Sequence, residues 1–217
     1  MPPNPSPDLR ALCARAPVIP VLTVTDAASA ADLARALIAG GLPVLEVTLR
    51  TPAALDVIAA MARIPGAVVG AGTVLTPEDA ARAARAGARF AVSPGLTPAL
   101  AKGCRDANLP LLPGVATVSE AMAAAEQGHD MLKFFPATAA GGPGFLRALA
   151  APLPHLSFCP TGGITESNAP EWLSLPNVTC VGGSWIAPAA DVARGDWAAI
   201  EARARSAAAL PRPGDAQ

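Results

Sequence analysis

Lysine is almost absent from this chain: of its 16 basic residues, 14 are arginine and only Lys102 and Lys133 are lysine. A lysine amine, unlike a guanidinium, can lose its proton near neutrality and attack a carbonyl carbon. Lys133 lies in Met131-Leu132-Lys133-Phe134-Phe135-Pro136, an apolar run. Burial among such side chains disfavours a charged amine, which suits Schiff-base chemistry. The plainer alternative is a structural lysine paired with a buried carboxylate. Lys102, beside Gly103 in a helical stretch, reads as solvated surface.

A carboxylate of the right kind is present in Val44-Leu45-Glu46-Val47-Thr48-Leu49-Arg50. An acid inside an apolar strand is costly unless it is paired or used, and a desolvated carboxyl is suited to general acid-base work. Its alternative is an ion pair with Arg50 or Lys133. Arg50, at the strand's carboxyl end, can grip a substrate carboxylate in bidentate fashion. Gly70-Ala71-Gly72-Thr73 and Ser93-Pro94-Gly95 read as short turns where backbone can approach a ligand, although glycine turns are often geometry alone. Cys159-Pro160-Thr161-Gly162-Gly163-Ile164-Thr165 and Val181-Gly182-Gly183-Ser184 place two glycine pairs after apolar runs, where backbone amides can cradle a phosphate. Tight turns are the competing explanation.

These residues need a scaffold that brings strand ends together. The chain alternates short apolar, β-branched runs with alanine-rich stretches carrying charges at helical spacing. Strands are expected at Val18 to Val24, Val44 to Leu49, Val68 to Ala71, Phe90 to Ser93, Leu111 to Gly114, Met131 to Phe134, Ser157 to Pro160 and Thr179 to Gly182. Helices are expected at Ala27 to Ala39, Pro77 to Ala86, Pro98 to Ala107 and Ser119 to Gln127, among others. Eight βα units predict an α/β fold, a (β/α)8 TIM barrel with its active site at the carboxyl ends of the strands. The competitor, a doubly wound sheet, lacks its GxGxxG fingerprint here. One domain over 1–217 is expected, with frayed tails at about 1–8 and 211–217.

Composition narrows the function classes. Apolar residues make up 52%, charged residues 15%, and the formal net charge is −1, so no basic stripe favours nucleic acid. The start lacks the pattern of a signal peptide, and no apolar run approaches the roughly 20 residues of a membrane span. A soluble, cytoplasmic protein without membrane contact is expected. Cys13, Cys104, Cys159 and Cys180 form no CxxC pair and read as reduced thiols. His129 and His155 lack chelating spacing and read as ordinary surface or loop histidines, so no metal is expected.

Over most of its length the sequence resembles the 2-keto-3-deoxy-6-phosphogluconate (KDPG) aldolase family, which includes 4-hydroxy-2-oxoglutarate aldolase activity. The likeness runs through Val18-Ile19-Pro20-Val21, Leu45 to Thr51, Val69 to Leu75, Ser93-Pro94-Gly95-Leu96, Leu132 to Ala137, Cys159 to Ile164 and Gly182-Gly183-Ser184-Trp185. The resemblance implies a class I, metal-independent aldolase without a cofactor, acting on a small phosphorylated keto acid in the Entner-Doudoroff route, usually as a homotrimer. It implies Lys133 as the Schiff-base residue, Glu46 as the proton shuttle, and Arg50 with Thr73 on the pyruvyl carboxylate. It also implies Thr161 on the substrate hydroxyls, Pro94 and Phe135 lining the pocket, and Gly162, Gly163 and Ser184 on the phosphate. Two rivals share the anion site: an isomerase using Glu46 as an enolising base, and a sugar-phosphate sensor without turnover.

Overall fold

The computed structural model describes residues 9–212. The tails expected at about 1–8 and 211–217 lie outside that range, apart from Pro211 and Arg212. Nine short strands are present among the described residues: β1 Val18–Leu22, β2 Val44–Thr48, β3 Val68–Gly72, β4 Phe90–Val92, β5 Leu111–Leu112, β6 Gly114–Val115, β7 Met131–Phe134, β8 Ser157–Pro160 and β9 Val181–Gly183. The helices are α1 Leu9–Cys13, α2 Ala30–Ala39, α3 Ala54–Met61, α4 Pro77–Arg85, α5 Pro98–Asp106, α6 Val118–Glu126, α7 Gly142–Leu149, α8 Ala169–Leu173, α9 Ala189–Arg194 and α10 Trp197–Ala208.

Local chemistry explains several helix starts. Thr76, Thr97 and Thr117 accept from the backbone N–H of Asp79, Leu100 and Glu120, and the Asp79 and Glu120 carboxylates return a bond to the cap residue. Proline occupies the first turn of α4 and α5, where no N–H is needed. Ala27–Ser29, expected to open a long helix, instead forms a 3-10 turn capped by Asp26 ahead of α2. The five-residue α1 escaped sequence reading because it is too short to show a helical period.

All strands pair in parallel, as the βα rhythm predicts, in a sheet of six ordered β5-β4-β3-β2-β1-β9 and a sheet of three ordered β6-β7-β8. The expected fifth strand is divided at Pro113, which has no N–H to give to a ladder. Its first half pairs with β4 and its second with β7. At the opposite edges, isolated parallel bridges join Phe158 to Val178 and Thr161 to Gly182.

Two-residue alternation sorts the side chains. Leu45, Val47, Leu132 and Phe134 enter the large core between strands and helices. Their neighbours Val44 and Met131 join Ile19, Phe90, Val92, Leu112, Cys159 and Cys180 in a second cluster, completed by Leu12 and Cys13 of α1. A cluster fed by six strands at once requires a curved sheet whose concave face it fills. Gly70 and Gly72 belong to β3 rather than to a turn, and they make room for side chains: an added Cβ would meet the Phe90 ring at 2.3 Å and Glu46 Oε1 at 2.3 Å respectively. No helix among the described residues is long and apolar enough to cross a membrane.

Candidate active site

Glu46 and Lys133 each stand two residues beyond a concave-face residue, Val44 and Met131, so strand parity turns both onto the concave face one layer nearer the carboxyl ends. Register fixes their height: Glu46 pairs with Val21 and Gly70, Lys133 with Gly114 and Cys159. Lys133 Nζ lies 3.5 Å from Glu46 Oε1, with side-chain exposures of 6% and 4%. Two buried opposite charges need each other, because either left alone would carry an uncompensated desolvation penalty. The contact is long for a hydrogen bond. The Phe135 ring, its centroid 5.2 Å from Nζ, forms one wall.

Arg50 is exposed just past β2, and its Nε donates to Thr73 Oγ1 at 3.0 Å. Thr73 has φ 58, a region β-branched residues rarely adopt, and the bond to Arg50 is what that conformation delivers. With Nε committed, the Nη groups can meet a carboxylate.

The glycine pairs meet at a second corner. The bridge from Thr161 to Gly182 sets the loop after β8 beside the loop after β9, which carries Ser184. Gly162 and Gly163 have φ 99 and 78, conformations that favour glycine. A Cβ on Gly162 would press the Phe135 ring at 3.3 Å, and one on Gly182 would strike Thr161 Oγ1 at 2.3 Å. Phe135 therefore connects the two corners, contacting the Lys133 amine on one side and the Gly162 backbone on the other. Asn168 braces this loop by donating to Gly163 O at 2.9 Å and accepting from Thr165 N–H at 2.8 Å. Thr161 is buried, whereas Gly163 and Ser184 are exposed.

Pro94 occupies the turn after β4, where its carbonyl abuts Gly114, the ladder neighbour of Lys133; a Cβ on Gly114 would lie 2.2 Å from Pro94 O. Of the ten residues singled out in the sequence, Glu46 and Lys133 thus lie within β2 and β7, and the other eight lie just past the carboxyl ends of β2, β3, β4, β7, β8 and β9. Gly114 received no site role from the sequence, and Gly72, read there as part of a turn approaching a ligand, instead makes room for Glu46, because a glycine's spatial neighbours leave no signal in its own chain context. His155 is exposed, and half-buried His129 precedes β7 at its amino end, away from the Lys133 end. Among the described residues, no group of three or more His, Cys, Asp or Glu side chains is arranged to hold a metal ion. The four cysteines are buried free thiols. Hydrogen bonds to Cys13 and Cys159, together with burial, push the Cys180 thiol well above its ordinary range.

The family model described as KDPG and KHG aldolase matches residues 9–203. The KHG/KDPG aldolase of Escherichia coli (strain K12) is 49% identical over 192 residues, which are 88% of this chain and 90% of that protein. Among solved structures, the KDPG aldolase of Zymomonas mobilis ZM4 with 3-phosphoglycerate superposes with a TM-score of 0.89 at 48% identity, covering 95% of this chain and 98% of that one. The KDPG aldolase from Legionella pneumophila, with pyruvate captured as a covalent carbinolamine, gives a TM-score of 0.90 at 45% identity, covering 93% and 98% of the two chains.

Proposed function

The chain belongs to the KDPG and KHG aldolase family, and from that premise we propose that it cleaves 2-keto-3-deoxy-6-phosphogluconate to pyruvate and glyceraldehyde 3-phosphate through a Schiff base on Lys133. The carrying observation is the buried contact between Lys133 and Glu46. An amine next to a carboxylate inside an apolar cavity can pass its proton across and then attack a ketone.

Lys133 Nζ adds to C2 of the substrate, and loss of water gives an iminium ion. Glu46, directly or through a water molecule, takes the C4 hydroxyl proton. The bond between C3 and C4 then breaks, its electrons moving into the iminium to form an enamine while the aldehyde leaves. Protonation of the enamine at C3 and hydrolysis release pyruvate and restore the lysine. Arg50 and Thr73 hold the C1 carboxylate, Thr161 meets the substrate hydroxyls, and Pro94 and Phe135 line the cavity. Gly162, Gly163 and Ser184 take the phosphate. Binding energy from that remote anion orients the reacting carbons. Unphosphorylated 4-hydroxy-2-oxoglutarate, which yields pyruvate and glyoxylate, presents the same pyruvyl half and is the second substrate. The reaction as drawn uses neither a metal ion nor a cofactor.

The two sheets are read as one closed (β/α)8 barrel and the chain as one domain. Support comes from residues 111–115 pairing with both sheets and from the bridge between Thr161 and Gly182 at the other seam. A homotrimer is proposed from the family; exposed Leu75, Val118 and Met122 offer apolar surface for it. The four free thiols accord with a cytoplasmic location.

Incubation with pyruvate and sodium borohydride, followed by peptide mass mapping, tests the chemistry. A reduced pyruvyl adduct on Lys133 is the expected result. A folded protein that binds sugar phosphates yet forms no adduct there would replace this reading with a non-covalent isomerase or a sensor.

A further inference from the structure

The loop leaving β7 carries a hydroxyl that the reaction above does not use. Ala137 N–H donates to Thr161 O at 2.8 Å and Thr138 N–H to Gly162 O at 3.1 Å, so the pairing of β7 with β8 continues past both strands. Those bonds pin Thr138 against the glycine pair. A Cβ built on Gly163 would lie 2.4 Å from Thr138 Oγ1 and 2.8 Å from Thr138 Cβ. The space that Gly163 leaves empty is thus where the Thr138 hydroxyl sits. Both residues are exposed, so an incoming anion can reach them.

Charge strengthens the case. Residues 135–145, 161–168 and 182–188, which supply this corner, contain no lysine or arginine, and their one ionisable side chain is the acid Glu166. An anion seated there is held by neutral N–H and O–H donors, so each donor carries a large share of the binding. A hydroxyl also rotates to suit its acceptor, which a fixed backbone amide cannot do.

We propose that Thr138 Oγ1 donates a hydrogen bond to the substrate phosphate and sets this chain's preference for phosphorylated over unphosphorylated 2-keto acids. The proposal rests on the aldolase reading above. Thr138→Val keeps the shape and removes the hydroxyl; Thr138→Ser keeps the hydroxyl. The measurement is kcat/KM for 2-keto-3-deoxy-6-phosphogluconate divided by kcat/KM for 4-hydroxy-2-oxoglutarate. In the valine variant this ratio falls about tenfold, the scale of one hydrogen bond to a charged group, and in the serine variant it returns to within about twofold of the starting value. An unchanged ratio in Thr138→Val, a parallel loss on both substrates, or a serine variant that behaves like the valine one overturns the proposal. Failure of the aldolase reading itself shows separately, in the unmodified protein, as no turnover of either substrate and no pyruvyl adduct.

Discussion

Lys133 and Glu46, 87 residues apart in sequence, meet at 3.5 Å inside the curve of a parallel sheet. Among the described residues neither side chain forms a second ion pair, so each determines how the other behaves.

Lys133→Arg preserves a positive charge beside Glu46 but cannot form an imine. Turnover falls to the uncatalysed background and borohydride no longer traps pyruvate, while circular dichroism stays that of the folded protein. Residual activity at a tenth of the starting value would remove Lys133 from the covalent role.

Glu46→Gln leaves the amine in place and removes the proton acceptor. Trapping with pyruvate persists, but kcat drops by about 100-fold or more. Stopped-flow measurement of imine formation beside steady-state turnover separates the two effects. Equal kcat values would assign Glu46 to structure alone.

Gly72→Ala adds a methyl group whose carbon would lie 2.3 Å from Glu46 Oε1. The carboxylate must move, and the added volume in a packed wall costs about 1–3 kcal/mol. Moving the Glu46 carboxylate out of its place beside Lys133 lowers kcat by about 100-fold. Chemical denaturation and kinetics on the same preparation check both numbers, and a fully active variant would mean that Glu46 can adjust without loss.

Half-buried His129 has a pKa lowered from its ordinary 6.5, mainly through desolvation by burial and secondarily through Arg105, with Asp130 opposing. Its Nε2 is buried without a hydrogen-bond partner among the described residues. Because the folded state resists protonation that the unfolded chain accepts, this residue's contribution is intact above about pH 6.5 and is lost as pH falls through the lowered folded value. His129→Gln flattens that part of the profile. Urea midpoints at pH 5.5 and 7.5 for both proteins measure it, and an identical pH dependence would show that His129 does not contribute.

The sequence by itself determined the βα rhythm and the α/β class, and it singled out the lysine and the carboxylate that the structure brings into contact. Lys133 was legible because lysine is so rare here and because a charge inside Met131-Leu132-Lys133-Phe134 breaks an apolar pattern; Glu46 was legible for the same reason. The helix starts at Pro77 and Pro98 were legible because a proline in the first turn is a signal carried within a few residues of chain. Tertiary structure alone decided what lies across space. It divided the fifth strand at Pro113, showed that Gly70 and Gly72 make room for Phe90 and Glu46, and stood Thr138 against Gly163. The physical reason is that patterning and capping depend on neighbours along the chain. Steric fit and the distance between two charges depend on register between strands, and register is settled only when the sheet curves and packs as a whole.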